Sequence, residues 1–332
     1  MCYSAKVWRA YWEFVRRFGA EISIREFAAL YADRDDGAKI KTTKAMDDAF
    51  LRDGALRDGM LRDAPPEAQC ELRDIGERIA AWNARQAAEL ERLLFRQRKR
   101  LADAERTLRT RTTQKALNDQ RIAADKIEWA MGKLADLRRT APEERDRRIF
   151  PGMYAPVMVM ERGRRVVKPM RYQCRPAGKP AAYDAKYPGT YNARRDNLEG
   201  FWKGQFGHTH GILVADAFYE NVGRHRVEGR ALAPGETEQN VVLEFEPQPR
   251  QDMLIACVYS HWRSGDEELW SFAAITDEPP PEIAAAGHDR CIIPIKEQHI
   301  DAWLGPNPKR LDALYAILED RERPYYEYRR AA

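Results

Sequence analysis

The sequence predicts an α+β fold in which a mostly antiparallel β core is interrupted by a helical insertion. Two observations carry this. From about Glu67 to Arg139 the chain is rich in Ala, Leu, Arg, Glu and Gln and free of proline, with apolar residues at helical spacing. After Pro142 it changes to short apolar or alternating runs separated by Pro and Gly, the pattern of strands. A mean hydropathy of -0.68 and 33% charged residues fit a chain of which part is elongated and covered by solvent.

Taken in order, Ala5 to Gly19 carries Val7, Trp8, Tyr11, Trp12, Phe14 and Val15 at spacings of three and four and is expected to form an amphipathic helix. Ser23 and Glu26 suit a capping box at the start of a second helix. Leu51-Arg52-Asp53-Gly54-Ala55, Leu56-Arg57-Asp58-Gly59-Met60 and Leu61-Arg62-Asp63-Ala64 repeat with a period that fits neither helix nor strand, so a turn-rich linker ending at Pro65-Pro66 is expected. In the long helical region, Leu72, Ile75, Ile79, Trp82, Leu90, Leu94, Leu101 and Leu108 form one stripe. Leu117, Ala124, Ile127, Met131 and Leu134 form another, and the break around Thr110-Arg111-Thr112-Thr113 implies an antiparallel hairpin or a pair of coiled-coil strands. The later strands are expected at Ala155 to Met160, Val241 to Phe245, Met253 to Tyr259 and Cys291 to Ile295.

The net charge of +4 is too small to imply nucleic-acid binding by itself. Clustering is more telling: Arg162, Arg164, Arg165, Lys168, Arg171, Arg175 and Lys179 stand against the single acid Glu161, and Tyr172, Tyr183 and Tyr187 nearby could stack on unpaired bases. Five widely spaced cysteines without a CxxC pair argue against a disulfide scaffold or a zinc site, and His208 with His210 lacks a sensibly spaced third ligand. No metal and no cofactor are expected. Cys257 and Cys291 lie in apolar runs and read as small buried hydrophobes. With no membrane-spanning run and no leader pattern, a cytoplasmic protein, expected to be a monomer, fits best.

Cys2 follows the initiator Met directly, and removal of Met1 would expose an amine and a thiol on one residue. Such a pair can capture an aldehyde, the amine as an imine and the thiol by closing a thiazolidine. Three later blocks supply polar groups in apolar, strand-like surroundings: Tyr191-Asn192-Ala193-Arg194-Arg195, Val214-Ala215-Asp216-Ala217-Phe218-Tyr219-Glu220, and Gly287-His288-Asp289-Arg290-Cys291-Ile292-Ile293-Pro294.

With the Met1-Cys2 start, the order of these blocks resembles the SRAP family, the SOS response-associated peptidases that seal abasic sites in single-stranded DNA. The match runs over Met1 to about Tyr31 and again from about Phe150 to Leu304. The resemblance implies a barrel-like sheet surrounded by helices, a catalytic domain made of residues 1–32 and 140–332, and an inserted helical region, 33–139. It also implies a role in the DNA damage response, in which Cys2 is covalently joined to an abasic site, with lyase or peptidase activity (removal of Met1) in addition. Catalytic roles fall to Cys2, Glu220 as acid and base at the amine, His288 as proton donor to the sugar ring oxygen, and Asn192 as an orienting amide. DNA contacts fall to Arg194, Arg171, Arg195 and Trp202. The chain departs from the family's usual Met-Cys-Gly-Arg start at Tyr3-Ser4, carries Asn221 where a Trp usually follows the glutamate, and has Arg171-Tyr172-Gln173-Cys174 in place of a Trp-Gly-Leu-like block, so the strand is expected to be held differently.

A second class of function fits some of these residues. Cys2 with His288 and Glu220 could act as a cysteine-nucleophile hydrolase that processes its own N-terminus. The two readings separate on the α-amine, which a thiazolidine requires and a hydrolase does not. A third reading is a non-catalytic coiled-coil scaffold, and the insertion itself could hold a protein partner or clamp DNA. Its arginines alternate with acids, the pattern of a solvated face.

Overall fold

The computed structural model describes residues 4–7, 11–51, 66–265 and 267–331, the side chains of Tyr11 and Trp12 apart. Cys2 and nearly all of the Leu-Arg-Asp-Gly repeat therefore lie outside the described residues.

The strands are β1 (Ser4–Val7), β2 (Glu21–Ile22), β3 (Arg148–Ile149), β4 (Tyr154–Glu161), β5 (Arg164–Tyr172), β6 (Asn192–Arg194), β7 (His210–Gly223), β8 (Asn240–Gln248), β9 (Met253–Ser264), β10 (Glu267–Asp277), β11 (Cys291–Ile292), β12 (Pro294–Ile295) and β13 (Tyr325–Arg330). The order β9-β10-β5-β4-β7 closes on itself through β7–β9 pairing, which makes a five-stranded barrel with the other strands appended. β4 and β5 are joined by Arg162-Gly163, both at positive φ, the backbone that a two-residue hairpin turn requires.

Strict alternation along the barrel strands makes two cores. Val157, Leu213, Ala215, Ile255, Phe272 and Ala274 fill the enclosed face. Their sequence neighbours Met158, Ile212, Val214, Leu254, Ala273 and Ile275 face outward, where Phe14, Phe18, Trp303 and Leu318 cover them.

Helices α1 (Tyr11–Phe18), α2 (Ile24–Asp35) and α3 (Lys44–Phe50) precede the arm, formed by α4 (Pro66–Thr110) and α5 (Gln114–Arg138). A third core of Phe27, Tyr31, Phe50, Ile75 and Ile79 roots the arm on α2 and α3. The hairpin turns at residues 111–113, the expected break, and Thr113 caps α5 by accepting the Ala116 amide at 3.2 Å.

Four expectations need correction. Ser4–Val7 is a strand, although a helix is expected from Ala5: its small and β-branched residues insert between β7 and β3, and α1 starts only at Tyr11. Ser23 stands at the start of α2 but its side chain makes no capping bond, and Glu26 turns instead toward Lys168, 3.4 Å away. Of the stripe expected on α5, Leu134 and Ile127 do pack in the seam, but Leu117, Ala124 and Met131 are exposed while Ala116, Ala123 and Ala130 are buried. The basic stretch from Arg162 to Lys179 is largely neutralised by acids from elsewhere: Arg164 pairs with Glu21, Arg165 with Asp301, Lys168 with Glu26 and Glu161, and Arg171 and Arg175 with Asp184.

Candidate functional site

Ser4 of β1 lies opposite Tyr219 of β7, which lies opposite Glu244 of β8. A charged network fixes this edge. Glu244 accepts hydrogen bonds from Tyr219 Oη and Lys6 Nζ, each at 2.9 Å, and from Arg329 Nε at 3.0 Å. Burial alone would raise the Glu244 pKa, but these donors outweigh it and hold the pKa down to about 2. The Arg148 guanidinium lies 3.8 Å over the Tyr219 ring, and its Nε donates to Ser4 Oγ at 2.8 Å.

Alternation then sends the next side chain of β7 to the other face. Glu220 shares parity with Phe218 and Val222 of the enclosed core and is itself fully buried. Its Oε2 is 3.1 Å from His288 Nε2. The imidazole is aimed by its neighbours: Nδ1 lies 2.9 Å from the Arg290 carbonyl oxygen, to which it donates. With Nδ1 carrying a hydrogen, the His288–Glu220 contact is satisfied by one further proton held on either the imidazole or the carboxyl group. Burial lowers the His288 pKa below its ordinary 6.5. Gly287 makes this placement possible, since it has φ +95 and an added Cβ would lie 2.9 Å from Arg226 Cβ and 3.1 Å from Val222 Cγ1.

Asn192 reaches the site from β6, alongside β10 in parallel register. At the end of β10, Thr276 is flanked by Arg194 of β6 on one side and Ile292 of β11 on the other, so Asn192 and the loop carrying His288 approach the same barrel end. Asn192 Oδ1 accepts from the Thr276 hydroxyl, while its Nδ2 is buried and has no hydrogen-bond partner among the described residues. A buried amide donor left open in this way costs about 1–3 kcal/mol unless a further group meets it.

Buried thiols are not the nucleophiles here. Burial pushes Cys174 up to about 12, and burial together with the negative charge of Glu220 raises Cys291 well above the usual thiol range. His210 is 1% exposed, and its ring is used up between the Gly207 amide and the Trp303 carbonyl; burial lowers its pKa to about 3, so it stays neutral.

The four residues assigned to DNA differ in availability. Arg194 is exposed and, among the described residues, its ion pair is with its neighbour Asp196, at 2.7 Å. Arg195 bridges Asp277 and Glu319, and Arg171 is held by Asp184 at 2.8 Å and the Gln173 carbonyl at 3.1 Å. Trp202 is 3% exposed in the outer core, so its indole packs against apolar neighbours and presents no face to a base. Lys6, Arg148, Tyr219 and Glu244 were not singled out from the sequence. An unpaired lysine and glutamate at apolar strand positions were the available signal, and the helix expected over Ala5 to Gly19 hid the first of them.

A family model described as SOS response associated peptidase (SRAP) matches residues 107–330, a span that contains Asn192, Glu220 and His288. No match was found among curated proteins. Solved structures that resemble the chain include a Bordetella bronchiseptica protein with 18% identity, covering 56% of this chain and 87% of its own, at a TM-score of 0.44. A Bacteroides thetaiotaomicron protein has 15% identity, 56% and 78% coverage and a TM-score of 0.43. A phage-related B. bronchiseptica protein has 18% identity, 56% and 81% coverage and a TM-score of 0.42.

Proposed function

The chain belongs to the SOS response associated peptidase (SRAP) family, and from that premise we propose that it captures abasic sites in single-stranded DNA through Cys2, acting in the cytoplasm as part of a DNA damage response. One observation carries the reading: a fully buried glutamate, 3.1 Å from a histidine, sits one residue along β7 from the position facing Ser4. Cys2 stands two residues before Ser4, and two residues of chain reach at most about 7 Å. The proposal sets the amine of the mature N-terminus against this carboxyl and imidazole.

The chemistry proceeds in four steps. The abasic deoxyribose rests mainly as a cyclic hemiacetal; His288 delivers a proton to the ring oxygen, its imidazole takes up the proton of the hemiacetal hydroxyl in exchange, and the aldehyde is released. Glu220 takes a proton from the Cys2 α-ammonium, and the free amine adds to the aldehyde carbon. Glu220 returns the proton to the carbinolamine hydroxyl, which leaves as water. The thiol sulfur then bonds to the imine carbon as its proton passes to nitrogen, so one aldehyde and one aminothiol become one thiazolidine and one water. The open Nδ2 of Asn192 would hold the N-terminus or the new ring. Arg194 is the proposed phosphate contact, because its exposed pair with Asp196 contributes little and can exchange for a phosphate.

Intact mass spectrometry tests this on protein incubated with single-stranded DNA carrying one abasic site. The expected adduct lacks Met1 and weighs the sum of protein and DNA less one water. Absence of an adduct, or an adduct that survives Cys2→Ala, would overturn the reading. One extra residue placed before Cys2 should abolish capture while leaving a thiol-dependent hydrolase active.

A further inference from the structure

A second cavity, of about 560 Å³, lies where the helical arm meets α2 and α3, away from the Glu220–His288 pair. Its volume is in the range of small-molecule sites. Trp82, Asn83, Gln86 and Leu90 of α4 line one wall, at spacings that put them on one helix face, and Trp129 and Lys133 of α5 line the other. Arg34 closes the floor. It is 3% exposed, and although its Nη1 is held by Thr42 and Asp47, its Nη2 is buried with no hydrogen-bond partner among the described residues.

The charge of the cavity is less balanced than its composition suggests. Each lining acid already has a cation: Asp47 has Arg34, Asp48 has Lys44, and Asp136 has Arg139 and Arg145. The ammonium groups of Lys41 and Lys133, both exposed at the rim, make no ion pair among the described residues. Two lysines without an ion pair and a guanidinium nitrogen without a hydrogen-bond partner among the described residues ask for an anion, the exposed Trp129 indole offers flat apolar surface, Trp82 carries Arg34 and Arg85 over its ring, and two amide side chains offer paired donors and acceptors.

We infer that this cavity is a nucleotide site, with a base against Trp129, its edge toward Asn83 and Gln86, and a phosphate at Lys133, Lys41 and the Arg34 guanidinium that lies over Trp82. It is independent of the abasic-site reading, which it would complement by holding a nucleotide on the arm. The same chemistry is offered by a free nucleotide and by one residue of a strand.

Titration calorimetry with dAMP and with undamaged (dA)8 separates the two sources on the full-length protein. Binding of dAMP alone assigns a free nucleotide; tighter binding of (dA)8 assigns a strand. Either supports the site if Trp129→Ala and Lys133→Glu each weaken binding at least tenfold. Both residues are exposed on α5, so both variants should keep the wild-type melting profile, and both should still capture a short abasic oligonucleotide. Failure of the wild type to bind either probe, or binding that both variants retain, overturns the proposal without touching the capture reaction.

Discussion

Glu220 has a short route to a proton through the imidazole 3.1 Å away, and the two members of that pair are separable by substitution. Glu220→Gln keeps the shape but cannot shuttle a proton, so capture should slow by roughly 10²- to 10⁴-fold, the usual range for a general acid or base, with binding of undamaged strand unchanged. The pH profile should distinguish His288. Proton delivery needs the imidazolium, which burial makes scarcer as pH rises through a pKa below 6.5, while attack needs the neutral amine, which grows with pH. The rate should pass through a maximum, and His288→Ala should leave only the rise with pH; an unchanged bell would remove His288 from the mechanism. Gly287→Ala tests the placement, since a left-handed φ and a 2.9 Å clash should destabilise the protein by about 1–3 kcal/mol and slow capture by tilting the ring. The types of these residues were legible because side-chain chemistry is written in the sequence. Their meeting was not, because it depends on the register of β7 against β1 and on a loop that only glycine allows.

At the level of elements, the arm shows why periodicity places Ile127 and Leu134 in the seam and yet misplaces Leu117, Ala124 and Met131. Leu117, Ala124 and Met131 repeat every seven residues, and so do Ala116, Ala123 and Ala130; sequence alone favours the bulkier set as the buried one. Helix packing reverses that choice, because a methyl group fits between backbones where Leu and Met do not, while Leu94 and Leu134 are buried with Ala130 in one cluster. Ala123, fully buried, is the sharpest test. Ala123→Leu should overpack the hairpin by about 1–3 kcal/mol and raise hydrogen exchange in α5, whereas Leu117→Ala, on an exposed position, should change neither. Capture should survive both. The basic stretch on β5 teaches the same limit: local charge was legible, but Glu21, Asp184 and Asp301, which neutralise it, come from distant elements.

Across the whole molecule, Glu244 is where the two ends of the chain are joined. Lys6 comes from the first described strand, Arg329 from the last, and β8 carries both contacts because it pairs with β7 and β13 at once. The barrel interior could be foreseen from alternation, but this closure could not, since it needs two cations far apart in the sequence, Lys6 and Arg329, to meet one glutamate. The linkage has a definite sign. Glu244 has an ordinary pKa of 4.5 and a folded value of about 2, so the folded state binds fewer protons, and the stability this provides is complete above pH 4.5 and lost as pH falls through 2. Glu244→Gln should therefore lower the melting temperature at neutral pH, where buried Lys6 keeps Glu144 and Glu246 but loses its shortest ion pair, and flatten its decline between pH 4.5 and 2. If β1 is what delivers the N-terminal amine to Glu220, the same variant should expose the Lys6 and Val7 amides to faster hydrogen exchange and slow capture, although the side chain at position 244 touches no reacting atom. Loss of stability with an unchanged capture rate would show instead that the amine finds the carboxyl without a fixed strand behind it.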